Sequence, residues 1–284
     1  MTTNSSSDLH TAVIRDKHGT LVITNGTPAT IRLVPMNLHE PAQFETLLAQ
    51  RQICGWNNKP SILQSYRTAM DAGERTLFWI TVPHNVPDSS HSDTNPLSTN
   101  AHAATPEAQA QATSTSPPKS QVNGTTTAFE HSLPIIAGHI SLDHPVTSDV
   151  TRGYGPDILT QPTLKISFLF ITPPFRQRRI ADTAVALLER LACSVPYGRL
   201  DCEAIIVDAL SKRYIHDEGP WNNGIWARMG LEKRPNSTQE WFEGMGYVGY
   251  HQKPSYENTL LDGTEMMFEA VFMRKLLERG QAEG

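Results

Sequence analysis

Cysteine is scarce in this 284-residue chain: Cys54, Cys193 and Cys202 are an odd set of three with no CxxC spacing. That excludes a disulfide framework and a cysteine-based zinc site, and their apolar neighbours suit small buried hydrophobes better than reactive thiols. No run of about 18 apolar residues exists to span a bilayer. The first eight residues lack the charged start and apolar stretch of a secretory signal. Basic residues are not in excess, with 24 Lys and Arg against 29 Asp and Glu and a formal charge of −5. General nucleic-acid or anionic-membrane binders carry a basic surplus, so any polyanion site here must be local. Four of the eleven histidines (His84, His91, His102, His131) fall at irregular intervals in or beside a Ser/Thr/Pro/Gln-rich stretch, a pattern without metal-ligand spacing. These absences predict a soluble protein, cytoplasmic or also nuclear, that engages neither nucleic acid nor membrane and needs no metal.

What is present fits one α/β domain over residues 11–284 behind a polar tail at 1–10. Short β-rich runs at 30–34 and 77–82, and the longer 133–142, read as strands. Residues 40–52 and 60–72 read as helices, from the spacing of Phe44, Leu47, Leu48 and of Ile62, Leu63, Tyr66, Met70, with Gly55 to Asn58 breaking them apart. Between the second and third strands, residues 84–131 hold hardly any large apolar side chain. Such a segment cannot offset its ordering entropy by burial and is expected to be a disordered insertion. Its flanks then read as one hairpin with a stretched loop, which is tolerable because closure entropy grows only logarithmically with length. Further strands are expected at 202–210 and 266–273, with a loop carrying His216, Trp221 and Trp226 between them.

The most informative stretch is 164–192. A strand apolar on both faces (Leu164, Ile166, Phe168, Leu169, Phe170, Ile171) runs through Pro173 and Pro174 into Arg176, Gln177, Arg178, Arg179, Ile180 and Ala181. A helix over 178–192 follows, with Ile180, Ala184, Leu187, Leu188 and Leu191 on one stripe. A doubly apolar strand is buried. The helix after it brings unpaired amides and a positive dipole end to the strand's carboxyl edge, a ready anion site, and three arginines add charge and bidentate donors.

Residues 171–181 resemble the acetyl-CoA-binding segment of the GNAT superfamily of N-acetyltransferases, Arg/Gln-x-x-Gly-x-Gly/Ala after a central strand, with Arg176 first and Ala181 last. Residues 236–247, with Trp241, Phe242, Gly246 and Tyr247, resemble that family's later helix-to-strand turn, and the likeness is closest to fungal members of unidentified substrate. It covers roughly 29–83 and 134–277. It implies a mixed, twisted sheet of about seven strands flanked by helices, whose two central parallel strands splay apart at the cofactor. It also implies acetyl-CoA as co-substrate, an amine acceptor, most simply a small molecule, and a monomer or homodimer. The implied cofactor contacts are Leu169, Phe170 and Ile171, the amides and side chains at Arg176, Gln177, Arg178, Arg179, Ile180 and Ala181, and Asn236 and Phe242. Two departures stand out: Arg179 replaces the pattern's Gly, and Phe242 the Tyr that usually protonates the departing thiolate. Asp208 and Glu203 are candidate bases, because carboxylates in a core strand need a reason, and Tyr214 is a candidate acid. A non-catalytic acyl-CoA-binding module and a protein N-acetyltransferase remain alternatives.

Overall fold

Strand alternation sorts side chains onto two faces of one sheet. In the computed structural model nine strands pair in the order β1(Ala12–Arg15), β2(Leu21–Thr24), β3(Arg32–Pro35), β4(Arg75–Val82), β5(Ile135–Asp143), β6(Thr163–Ile171), β7(Ala204–Leu210), β9(Glu265–Leu276) and β8(Val248–Thr259). The structure describes residues 12–15, 21–24, 31–83, 134–216, 224–233 and 235–277, the first two stretches as backbone alone. The expected tail, the insertion at 84–131, and Trp221 lie outside these residues. The mixed sheet flanked by helices is the expected architecture. Seven strands, β3 to β9, form it, and the β1–β2 hairpin extends its edge antiparallel to β3.

Seven helices complete the described chain: α1(Pro41–Cys54), α2(Pro60–Asp71), α3(Thr147–Asp149), α4(Ile180–Ala192), α5(Arg213–His216), α6(Ile225–Arg228) and α7(Thr238–Gly244). Both α1 and α2 open on a proline, whose missing N–H is no loss in a first turn. Gly55 ends α1 in a left-handed conformation (φ 82°) that returns its N–H to the Arg51 carbonyl. The segment after α3, Val150–Tyr154 and Pro156–Leu159, turns at Gly153 and Gly155 with φ of 137° and 88°. A Cβ on Gly153 would stand 2.6 Å from the Phe272 ring, so only glycine fits there.

One face buries Phe78, Ile80, Ile140, Leu142, Leu164, Ile166, Ile205 and Val207 under α4, with Phe242 and Tyr247 joining them. The stripe expected on α4 is the stripe it buries. Each such aliphatic side chain contributes about 1.5–3 kcal/mol on leaving water. The opposite face carries Leu77 and Trp79 under α1 and α2, then Ile206, Ala270 and Phe272 under the 150–158 turns. The flanks of the long insertion pair antiparallel from Arg75↔Asp143 to Val82↔Ile135.

Candidate functional site

β6 and β7 are the one parallel pair among the described strands. They are in register only at Thr163↔Ala204, Leu164↔Ile205 and Lys165↔Ile206. Beyond that point β6 continues to Ile171 on the β5 side and β7 to Leu210 on the β9 side, with no partner positions between them. The sheet therefore forks. Backbone N–H and C=O groups along the facing edges, from Ile166 and Val207 outward, present an extended acceptor–donor row to anything laid in the fork. Phe168 takes φ 54° within β6, where the register with β5 shifts between His139 and Ser141.

The outer end of β6 leads through Pro173–Phe175, a single 3₁₀ turn, into the arginine run and α4. Gln177 and Arg179 both sit in the left-handed region, with φ of 63° and 56°. Helical dihedrals therefore begin only at Ile180, two residues later than the apolar pattern suggests, and Arg179 is the N-cap without side-chain capping. Among the described residues, the amides of Gln177, Arg179, Ile180 and Ala181 meet no protein acceptor. They stand beside the positive end of a thirteen-residue helix. Arg176 is exposed, lies over the Phe170 ring and returns its Nε to the Ile171 carbonyl at 3.1 Å, which holds its charge at the mouth of the fork.

α7 closes the other side. Ser237 caps it by accepting from the Glu240 amide, the Trp241 indole donates to Asp182 of α4 at 2.8 Å, and Gln239 accepts the Lys212 amide just past β7. Phe242 is not at the fork: it is 4% exposed, edge-on to Tyr247 and packed on Trp241. It is a core residue, a correction to its expected place among cofactor contacts. Tyr247 donates its buried hydroxyl to Glu189 and packs in the same core.

The other side of the fork is polar. Asp208, two residues beyond the last position at which β7 pairs with β6, accepts from the Tyr154 and Tyr256 hydroxyls and from Arg152 at 3.0 Å. Burial and the neighbouring carboxylate push both tyrosines well above their ordinary pKa, so they stay protonated and donate. Three donors thus engage the Asp208 carboxylate, candidate base of the sequence, and fix its position. Lys165 pairs with Asp149 in the crotch of the fork, and Arg75 pairs with Asp143 through Nε at 3.0 Å and Nη2 at 2.8 Å. His139 on β5 is fully buried. Arg51 can only donate, so His139 Nε2 accepts from it at 3.4 Å and the ring proton sits on Nδ1, which donates to Gln50 at 2.6 Å. Burial, and next the Arg51 charge, lower this pKa and keep the ring neutral. Arg51 also donates to the Trp56 carbonyl, and Trp56 meets Tyr256 edge-on with centroids 5.8 Å apart.

Leu169, Phe170, Ile171 and residues 176–181 thus follow the outer half of β6 into α4, Asp208 lies past the parting on β7, and Asn236 precedes the Ser237 cap of α7. Glu203 is at the opposite edge: it precedes β7, and its amide bonds the Pro162 carbonyl. Tyr214 is fully buried against Phe268, and its hydroxyl accepts the Glu269 amide of β9, so it anchors α5 to the sheet. Arg152, Tyr154, Tyr256, Trp56, Arg51 and His139 were not singled out from sequence. The readable signal was polar alternation inside β5, at His139, Ser141 and Asp143, all buried. A cavity of about 410 Å³ lies on the same face under Gly153, Tyr154 and Asp157, against Tyr250, His251, Lys253 and Arg274. Tyr154 stands between this cavity and Asp208.

No protein-family model matches the chain, and no curated protein matches it. Solved structures resemble it. An aminoglycoside 6'-N-acetyltransferase complexed with coenzyme A is 12% identical at a TM-score of 0.44, over 87% of this chain and 98% of that one. Arabidopsis thaliana NAA60 in complex with acetyl-CoA is 10% identical at 0.44, over 88% and 99%. The aminoglycoside 6'-N-acetyltransferase from Enterococcus faecium is 12% identical at 0.42, over 87% and 98%. At such identities the chemistry of this chain is read from its own residues.

Proposed function

We propose that this protein is an acetyl-CoA-dependent N-acetyltransferase of the GNAT superfamily acting on the amine of a small molecule. The observation that carries this reading is the fork: a parallel pair that parts after Lys165 and Ile206, with unbonded amides and Arg176 at its mouth. An extended pantetheine arm matches the open strand edges, and a diphosphate matches the helix start. In the transfer step the neutral amine nitrogen attacks the thioester carbonyl, a C–N bond forms and the C–S bond breaks. One ammonium proton is lost to water beforehand, the nitrogen gives up a second to water after attack, and the thiolate leaves as the tetrahedral adduct collapses to the amide. With Phe242 in the core, no side-chain acid stands at the family's position, and the thiolate is left to take its proton from water.

Calorimetry with acetyl-CoA is the first test, followed by thiol release across a panel of amines. Binding with turnover is the expected outcome. Arg176→Glu, which sets like charge beside phosphate, should weaken acetyl-CoA binding about tenfold, and an unchanged dissociation constant would remove that contact. Phe242 favours a second reading, a non-catalytic acyl-CoA-binding module, for which binding without turnover of any amine is the signature.

A further inference from the structure

Four cations and three carboxylates make up the polar layer on the α1–α2 side of the fork: Arg51, Arg75, Arg152 and Lys165 against Asp143, Asp149 and Asp208. Among the described residues Arg51 has no carboxylate partner although it is only 3% exposed. Further out, Arg213 and Glu269 pair and leave the balance unchanged. His139 is held neutral. A buried surplus of positive charge is costly unless an anion answers it.

The layer also keeps unused donors. Arg51 Nε, the Tyr66 hydroxyl and Ser141 Oγ are buried without a hydrogen-bond partner. Tyr66 and Arg51 both pack on Phe168, the residue at the β6 bulge. Burial raises the Tyr66 pKa to about 12 against the opposing charges of Arg51, Arg75 and Arg152, so its proton stays available.

Solvent reach then selects one group. The side chain of Arg75 is 15% exposed and that of Lys165 7%, but that of Arg152 is 41% exposed. Arg152 is held in place by Nη2 on Asp208 and by the Tyr256 ring beneath its guanidinium, with Cζ 5.5 Å from the centroid. Nη2 is committed to Asp208, and two-fifths of the side chain stays exposed. A planar guanidinium fixed in this way is built for a carboxylate.

We infer that the acceptor is an amine that also carries a carboxylate, an amino-acid-type zwitterion whose carboxylate docks on Arg152. Asp208, Tyr154 and Tyr256 act as positioning residues for that arginine. The inference rests on the acetyltransferase reading and narrows its substrate. The negative overall charge of the chain suggests the opposite, a polycation, but the charge at the fork is local and of the other sign.

Product binding tests it without relying on turnover. Matched ligands differing only by the carboxylate, such as N-acetyl-L-tyrosine with N-acetyltyramine and N-acetyl-L-leucine with N-acetylisoamylamine, are titrated into the full chain. At least one pair should favour the carboxylate tenfold or more. In Arg152→Gln that preference should fall to about twofold or less, while the acetyl-CoA dissociation constant, which reports folding and the separate acyl-transfer reading, stays within twofold. Arg152→Lys should keep an intermediate preference, since charge remains and the fork of donors does not. Equal binding within every pair, no binding of either member, or a preference that survives Arg152→Gln would overturn the assignment. Loss of acetyl-CoA binding in the parent chain would instead sink the reading beneath it.

Discussion

Arg179 is the residue whose backbone most constrains the mouth of the fork. At φ 56° and ψ 18° it occupies the left-handed region, where Cβ crowding costs a non-glycine residue about 1–2 kcal/mol. Glycine avoids that cost but loses roughly 0.5–1 kcal/mol more conformational entropy on folding. The two nearly offset, so Arg179→Gly should unfold in urea within about 1 kcal/mol of the parent. Arg179→Val, β-branched and poorly tolerated at positive φ, should lose about 1 kcal/mol or more. A valine variant as stable as the parent would contradict the left-handed turn. The motif itself was legible at this scale, since 171–181 carry it in their order. Whether a bulky residue could stand in for glycine was not, because that depends on where helical dihedrals begin. The same limit hid Phe242, whose ring is turned inward by Trp241 and Tyr247 and not by its own segment.

Among elements, β5 decides the character of the fork's polar side. It carries His139, Ser141 and Asp143 on one face and Ala137, Ile140 and Leu142 in the core. His139 has its pKa lowered by burial, which links stability to pH. Above about pH 6.5 the ring is neutral in folded and unfolded chains alike. Below it the unfolded chain takes a proton that the folded chain refuses. Stability contributed by this residue therefore falls as pH drops from about 6.5 toward the lower folded pKa, with a slope of at most about 1.4 kcal/mol per pH unit. Urea midpoints of the parent and His139→Gln at pH 7.5, 6.0 and 5.0 check this: the difference between them should shift against the parent on acidification. Parallel profiles would mean that the ring is not held neutral. The polar stripe was visible in the sequence of β5. Its meaning was not, because Gln50 and Arg51 come from α1, Arg75 from β4 and Arg152 from the turn after α3, separations at which sequence carries no pairing signal.

For the whole molecule, the sheet is continuous across the long connection between β4 and β5. The hairpin it closes is paired to its end at Val82↔Ile135, so the connection need supply only length. Replacing residues 84–133 by about six Gly and Ser residues amounts to three halvings of the loop, each worth about 0.6 kcal/mol of closure entropy. The shortened chain should gain up to about 2 kcal/mol in urea unfolding and keep its acetyl-CoA affinity. A loss of either would show that the segment contributes contacts of its own. The pairing of its flanks was legible because two β-rich runs bracket a stretch too polar to bury. The β1–β2 hairpin and the turns over 147–159 were not, since short elements carry too few residues for a period to show.

The order of apolar and polar residues determined by itself that a buried strand would deliver an arginine-rich helix start, that α4 would lie on the sheet along one stripe, and that 77–82 would pair with 133–142. These follow from periods of two and 3.6 residues, which are local. Only the tertiary structure decided that β6 and β7 part after three residue pairs, that Asp208 is tied by three donors, and that Arg51 is buried against His139 with no carboxylate partner among the described residues. Those outcomes depend on which distant side chains share a buried volume, where charge and hydrogen bonds must be answered among groups brought from far apart in the chain.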